Sequence, residues 1–128
     1  GNKISKKQKK SEVKNLLVAK RTYYVLGTSH EVKLRIYMPI FSRKYRTYKC
    51  KFIFTGMPEG MEGFTIGGSD SLDALMNALT TIKIMLSNAN QMDFNSNLKW
   101  FTDDSEGLYL DIDLPSKYDN AEYKKEKS

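Results

Sequence analysis

The segment GGSDSLDALMNALTTIKIMLSN, residues 67–88, decides the fold class. Its large apolar residues recur at spacings of three and four, which places them in one stripe along an α-helix. The members of this stripe are Leu72, Leu75, Met76, Leu79, Ile82 and Leu86. Ser69 or Asp70 is suited to cap the N-terminus, so we expect a helix from Ser69 to about Asn88. A helix with one apolar face needs one partner surface, and we expect that surface to be a β-sheet.

Three segments before this helix are expected to be β-strands. The pattern is clearest from Val32 to Met38, where apolar residues alternate with Lys33, Arg35 and Tyr37. The two neighbouring strands are expected at Leu16–Leu26 and Arg46–Phe54, the latter with Tyr48, Cys50, Phe52 and Phe54 facing inward. Pro39 ends the middle strand, and a polar connection at residues 42–44 follows it. The three strands are predicted to form an antiparallel meander.

The remaining elements complete an α+β fold. A short strand is expected at Phe64–Ile66, and a hairpin after the helix is expected at Leu98–Thr102 and Leu108–Leu114. The predicted order is β-β-β-(β)-α-β-β, with one long amphipathic helix packed on one face of a mostly antiparallel sheet.

The length of 128 residues indicates a single domain. We place this domain at residues 12–115, between a flexible Lys-rich arm at 1–11 and a polar tail at 116–128. The single cysteine cannot form an internal disulfide, so the core must stabilise the fold. No apolar run approaches the ~18 residues that a membrane span needs. We expect a cytoplasmic protein, unless a signal preceded Gly1.

Charge is distributed unevenly along the chain, although the net charge is +6. Residues 1–21 contain eight basic residues and one acidic residue. Residues 31–51 contain seven basic residues and one acidic residue. Residues 52–113 contain two basic and ten acidic residues. This separation predicts a domain with two oppositely charged candidate docking surfaces.

The acidic half favours a non-enzymatic module that binds a protein partner. A surface rich in carboxylates can mimic nucleic acid and cover the cationic cleft of a nuclease, as a bacterial toxin-immunity protein would. The candidate contact residues are Glu59, Glu62, Asp103, Asp104 and Glu106.

The basic half supports an alternative, which is nucleic-acid binding. The solvent-facing side of the meander combines several cations with an aromatic ring, and the Lys-rich arm adds to them. The candidate residues are Lys33, Arg35, Tyr37, Lys49 and Lys51.

Catalytic and metal-binding motifs are not found in the sequence. His30 is the single histidine, and Cys50 occupies an inward position of its strand. One histidine and one cysteine would leave zinc dependent on carboxylates. We therefore expect neither an enzyme nor a cofactor.

The segment from Ile66 to Leu75 resembles a helix in a family of small, uncharacterised bacterial domains. The shared features are a Gly-x-Asp-Ser start at Gly68–Ser71 and an Ala-Leu repeat that continues through Ala78. Trp100 and the Gly107-Leu108 pair follow in the matching order. This resemblance implies a small α+β bacterial protein without an assigned activity, among toxin-immunity or interaction proteins.

Overall fold

The computed structural model describes residues 16–100, and this part of the chain contains six strands and one helix. In chain order they are β1 Leu17–Val25, β2 Glu31–Tyr37, β3 Ile40–Ser42, β4 Thr47–Thr55, β5 Gly63–Gly68, α1 Ser71–Met92 and β6 Leu98–Lys99. The strands form a single antiparallel sheet, against which α1 packs. The predicted α+β class is confirmed. The predicted strand at Leu108–Leu114 lies outside the described residues, as do the arm at 1–11 and the tail at 116–128.

The meander is confirmed, because β2 lies between β1 and β4 and pairs with both. Strand β5 pairs with the other side of β4, and β6 pairs with β1. Tyr23 lies opposite Val32, and Leu34 lies opposite Phe54, so the buried residues of neighbouring strands face the same side.

The connection predicted at residues 42–44 was partly wrong, because Ser42 ends the short strand β3. Pro39 has no backbone N–H and interrupts the ladder, but the chain then resumes pairing with β4. Ile36 is opposite Phe52 whereas Ile40 is opposite Lys49, so the register shifts by one residue across the break. Strands β2 and β3 are therefore two halves of one long strand.

The start of α1 agrees with the sequence prediction. Asp70 is the N-cap, and its Oδ1 accepts a hydrogen bond of 2.7 Å from the backbone N of Asp73. Asp73 Oδ2 in turn accepts from the backbone N of Ser69 at 2.7 Å. These carboxylates satisfy helix-terminal donors that a phosphate would otherwise use, so this terminus is an ordinary capped start.

The helix face that contacts the sheet matches the predicted stripe in part, because Ile82 and Leu86 are buried and Leu75 and Leu79 pack against the core. Leu72 and Met76 are 64% and 44% exposed. The buried apolar residues of the helix are Ala74, Ala78, Ile82, Met85, Leu86 and Ala89. Near the start of the helix the chain approaches itself closely, because a Cβ added at Gly68 would overlap the backbone of Ala74.

The core lies between α1 and one face of the sheet. Phe52 and Phe54 are buried in it with their rings edge to face, 5.8 Å apart between centroids. Burial of each such side chain contributes about 1.5–3 kcal/mol. Helix α1 packs on this face only. Within residues 16–100 the opposite face of the sheet is not covered by another element, and it contains the candidate site.

Candidate functional site

The face of the sheet opposite α1 is basic. Side chains alternate between the two faces along a strand, so the neighbours of the buried residues point away from the helix. We call this surface the basic face. Its cations are Lys20, Lys33, Arg35, Lys49, Lys51 and Lys99. Among the residues of the described strands, Glu31 is the single acidic one.

Two cations of the basic face lie directly opposite each other. Lys20 of β1 pairs with Arg35 of β2, and both side chains are exposed. Residues paired in this way have Cβ atoms about 5 Å apart, and like charges at that spacing destabilise a sheet. Lys33 lies two positions from Arg35 on the same strand, about 7 Å away. No ion pair within residues 16–100 involves these three side chains.

Aromatic rings are interspersed with the cations farther along the face. Lys51 Nζ lies 5.9 Å from the ring centroid of Tyr37. Lys49 Nζ lies 3.9 Å from the centroid of Tyr45, which belongs to the turn between β3 and β4. Cation–π contacts of this kind hold the rings beside the positive charges.

The structure brings all five residues of the predicted basic face to the same side of the sheet. It adds residues that sequence reasoning did not include. These are Lys20, Tyr24, Tyr45 and Lys99. Lys20 and Tyr24 could have been found from their alternation with the buried Tyr23, but their position beside β2 depends on the strand register.

An open depression of about 520 Å³ lies over β1 and β2. Residues that line it include Lys20, Thr22, Tyr24, Lys33, Arg35 and Trp100. The guanidinium carbon of Arg21 lies 3.9 Å from the ring centroid of Trp100, and this cation–π contact holds the Trp100 ring at one side of the depression. The depression therefore combines cations, a hydroxyl group and aromatic surface.

Three of the ionisable side chains outside the basic face are those of Cys50, Tyr23 and His30: the first two are buried, and that of His30 makes a hydrogen bond to a neighbouring turn. Burial raises the pKa of the Cys50 thiol, and Cys50 Sγ donates to the Tyr37 carbonyl at 3.4 Å. Burial likewise raises the pKa of the Tyr23 hydroxyl, which the nearby Arg21 side chain opposes in part. His30 Nε2 donates to the Gly56 carbonyl at 2.7 Å, so the imidazole joins two turns.

Within residues 16–100 no group of three or more His, Cys, Asp or Glu residues is arranged to hold a metal ion. The same part of the chain contains no helix that is long and apolar enough to cross a membrane.

The acidic surface is assembled only in part by the described residues. Glu59 and Glu62 are exposed between β4 and β5, and Glu62 Oε1 accepts a hydrogen bond from the backbone N of Gly60 at 3.1 Å. One of the two carboxylates therefore stabilises its own turn. The other predicted contacts, Asp103, Asp104 and Glu106, lie outside the described residues.

A family model described as a domain of unknown function, DUF6968, matches residues 19–111. The chain belongs to the DUF6968 family. This membership confirms the prediction of an uncharacterised domain family, while bacterial origin and a toxin-immunity role stay predictions. No curated protein and no solved structure matches the chain. The six cations of the basic face all lie inside the DUF6968 match.

Proposed function

We propose that this DUF6968 domain binds nucleic acid through the basic face. The observation that carries the proposal is the pair of Lys20 and Arg35, which lie directly opposite each other with Lys33 beside them and form no ion pair within residues 16–100. Such a cluster costs folding stability, and a bound polyanion would offset that cost.

The spacing of the cations suits a phosphate chain. Alternate residues of one strand are about 7 Å apart, and neighbouring strands are about 4.8 Å apart. Lys33 and Arg35 on β2 and Lys51 on β4 therefore offer several positive charges at intervals comparable to those of successive phosphates. Binding of this type releases counterions, so its affinity falls steeply with salt concentration.

Protein docking through the acidic surface is less well supported by the described structure. Glu59 and Glu62 provide two exposed carboxylates, whereas the basic face provides six cations on one continuous sheet surface. Within residues 16–100 the larger contiguous charge belongs to the basic face, which favours nucleic acid over a cationic protein partner.

Fluorescence anisotropy tests the proposal with the full-length chain and a labelled 20-nucleotide oligonucleotide. Lys33→Gln and Arg35→Gln should each weaken binding about five-fold at low salt and reduce the salt slope by about 1. Lys83→Gln, on the helix side, removes the same charge and should change neither quantity.

Equal weakening by all three variants would contradict the proposal, because it would show that net charge alone controls the affinity. Unchanged binding in Lys33→Gln and Arg35→Gln would also contradict it, since the Lys-rich arm would then carry the interaction. A complex with a basic protein that depends on Glu59 and Glu62, together with no oligonucleotide binding, would favour the acidic surface instead.

A further inference from the structure

We infer that the ligand is single-stranded nucleic acid, with one unpaired base against Tyr24 in the depression over β1 and β2. This inference rests on the proposed function and specifies its substrate class. It follows from the shape of the basic face, from the placement of its aromatic rings, and from the size of the depression.

The shape of the basic face excludes the common way of reading a duplex. A major groove about 12 Å wide admits a helix or a two-stranded ribbon. The basic face is instead the broad side of a sheet, with cations on β1, β2, β4 and β6. A single strand can lie across this surface with its bases turned toward the protein.

Tyr24 is placed where a base would need a stacking partner. It is half-buried on the basic face, two residues from Thr22, whose cross-strand partner is Lys33. The opposite residue on β2 is Glu31, the acidic residue of the described strands. A carboxylate repels phosphates but accepts hydrogen bonds from the amino group of a base. Tyr24 also has a cation, Lys99, opposite it on β6, so its two cross-strand neighbours carry opposite charges. The cluster of Lys20, Lys33 and Arg35 has no acidic residue among its cross-strand neighbours, so we place the base at Tyr24 and the phosphates at this cluster.

The depression has the size that a nucleotide requires. Small-molecule sites usually occupy ≈ 300–1,000 Å³, and this depression has a volume of about 520 Å³. Thr22 adds a hydroxyl group between the aromatic end and the cationic end. A duplex cannot place a stacked, paired base in the depression without first unpairing it.

Trp100 provides a direct readout, because it is the single tryptophan of the chain and lines the depression. The full-length protein is titrated with single-stranded DNA, single-stranded RNA of the same sequence, the corresponding DNA duplex, and inorganic polyphosphate. At least one single strand should change the Trp100 emission and bind at least ten-fold more tightly than the duplex. Polyphosphate has no base, so it should change the Trp100 emission less than the single strand does at equal saturation.

A matched pair of variants tests the stacking contact. Tyr24→Leu should weaken binding of the preferred single strand by about 5-fold to 100-fold, as loss of one base stack does. Tyr24→Phe keeps the ring and should bind as the unmodified chain does. Neither change should affect polyphosphate binding, and thermal unfolding confirms that both variants are folded.

The outcomes separate this inference from the proposed function. Equal affinity for duplex and single strand, or equal losses in Tyr24→Leu and Tyr24→Phe, would overturn the inference but leave nucleic-acid binding intact. Failure of all nucleic acids to bind would overturn both. If single-stranded RNA and DNA differ, the stronger ligand identifies the natural class, since only RNA has the 2′-hydroxyl.

Discussion

Replacement of Arg35 by threonine should make the protein more stable. Arg35 lies directly opposite Lys20, and threonine is well suited to an exposed strand position. Two unit charges as close as the paired Cβ atoms, about 5 Å apart, would repel each other by about 0.8 kcal/mol in bulk water, which is an upper limit for these long side chains. Screening reduces this repulsion to about 0.5 kcal/mol at 0.1 M salt and to about 0.2 kcal/mol at 1 M salt.

Urea denaturation measures this effect, because urea is uncharged and the salt concentration can be set independently. At 0.1 M salt the free energy of unfolding of Arg35→Thr should exceed that of the unmodified chain by up to about 0.5 kcal/mol, equivalent to a rise in Tm of up to about 2 °C. Most of this gain should disappear at 1 M salt. Arg35→Lys retains the like-charged pair and serves as the control, with unchanged stability.

The same variant should bind single-stranded oligonucleotide more weakly, so stability and binding should change in opposite directions. A stability gain that persists at 1 M salt would refute the electrostatic reasoning, because it would reflect strand propensity alone. A loss of stability at low salt would refute it more directly, since Arg35 would then make a favourable contact in the folded chain.

Three further predictions concern the scaffold that holds the basic face. Gly68→Ala should lower the free energy of unfolding by about 1–3 kcal/mol, because the added Cβ would overlap the backbone of Ala74. Urea denaturation measures this loss. Gly67→Ala is the control, because a Cβ at residue 67 would have its nearest neighbour at 3.7 Å. Asp70→Ala removes the N-cap acceptor and should cost about 1 kcal/mol, with a smaller loss in Asp70→Ser. Burial raises the pKa of the Cys50 thiol, so the folded chain keeps this proton while the unfolded chain releases it as the pH rises above the ordinary thiol pKa. The free energy of unfolding should therefore fall in that alkaline range. Cys50→Ala should make this fall shallower. An unchanged pH dependence of stability in Cys50→Ala would show that Tyr23 or other groups cause the fall.

The strands were predictable because their side chains alternate, and alternation requires only local sequence. Val32, Leu34 and Ile36 are buried while Lys33 and Arg35 are exposed, as the pattern indicates. The local sequence does not predict the short strand β3, because Pro39 is an end signal for a strand, whereas pairing with β4 resumes after it. Tertiary pairing overrides a local break signal.

The helix face was predicted less well, because periodicity gives weight to large residues. Leu72 and Met76 joined the predicted stripe although they are exposed, while Ala74 and Ala78 face the sheet. The backbone of Ala74 leaves no room for a side chain at residue 68, and this contact becomes visible only when β5 and α1 are packed.

The basic face was predictable strand by strand, but its organisation depends on register. The sequence pattern places Lys33 and Arg35 on one side of β2 without indicating which residue lies opposite each of them. The pairing of Lys20 with Arg35 follows from the alignment of β1 with β2, including the irregularity between Leu17 and Ala19. The depression beside Tyr24 depends on the same alignment.

Chemical-shift mapping of the isotopically labelled full-length protein tests the central claim most directly. Addition of a short single-stranded oligonucleotide should shift the amide signals of β1, β2 and β4 around Lys20, Tyr24 and Arg35. The exposed residues of α1, such as Met76, should be unaffected. Shifts confined to the loop around Glu59 and Glu62, or absent from β1 and β2 under conditions where the oligonucleotide binds, would contradict the assignment of the basic face as the binding surface.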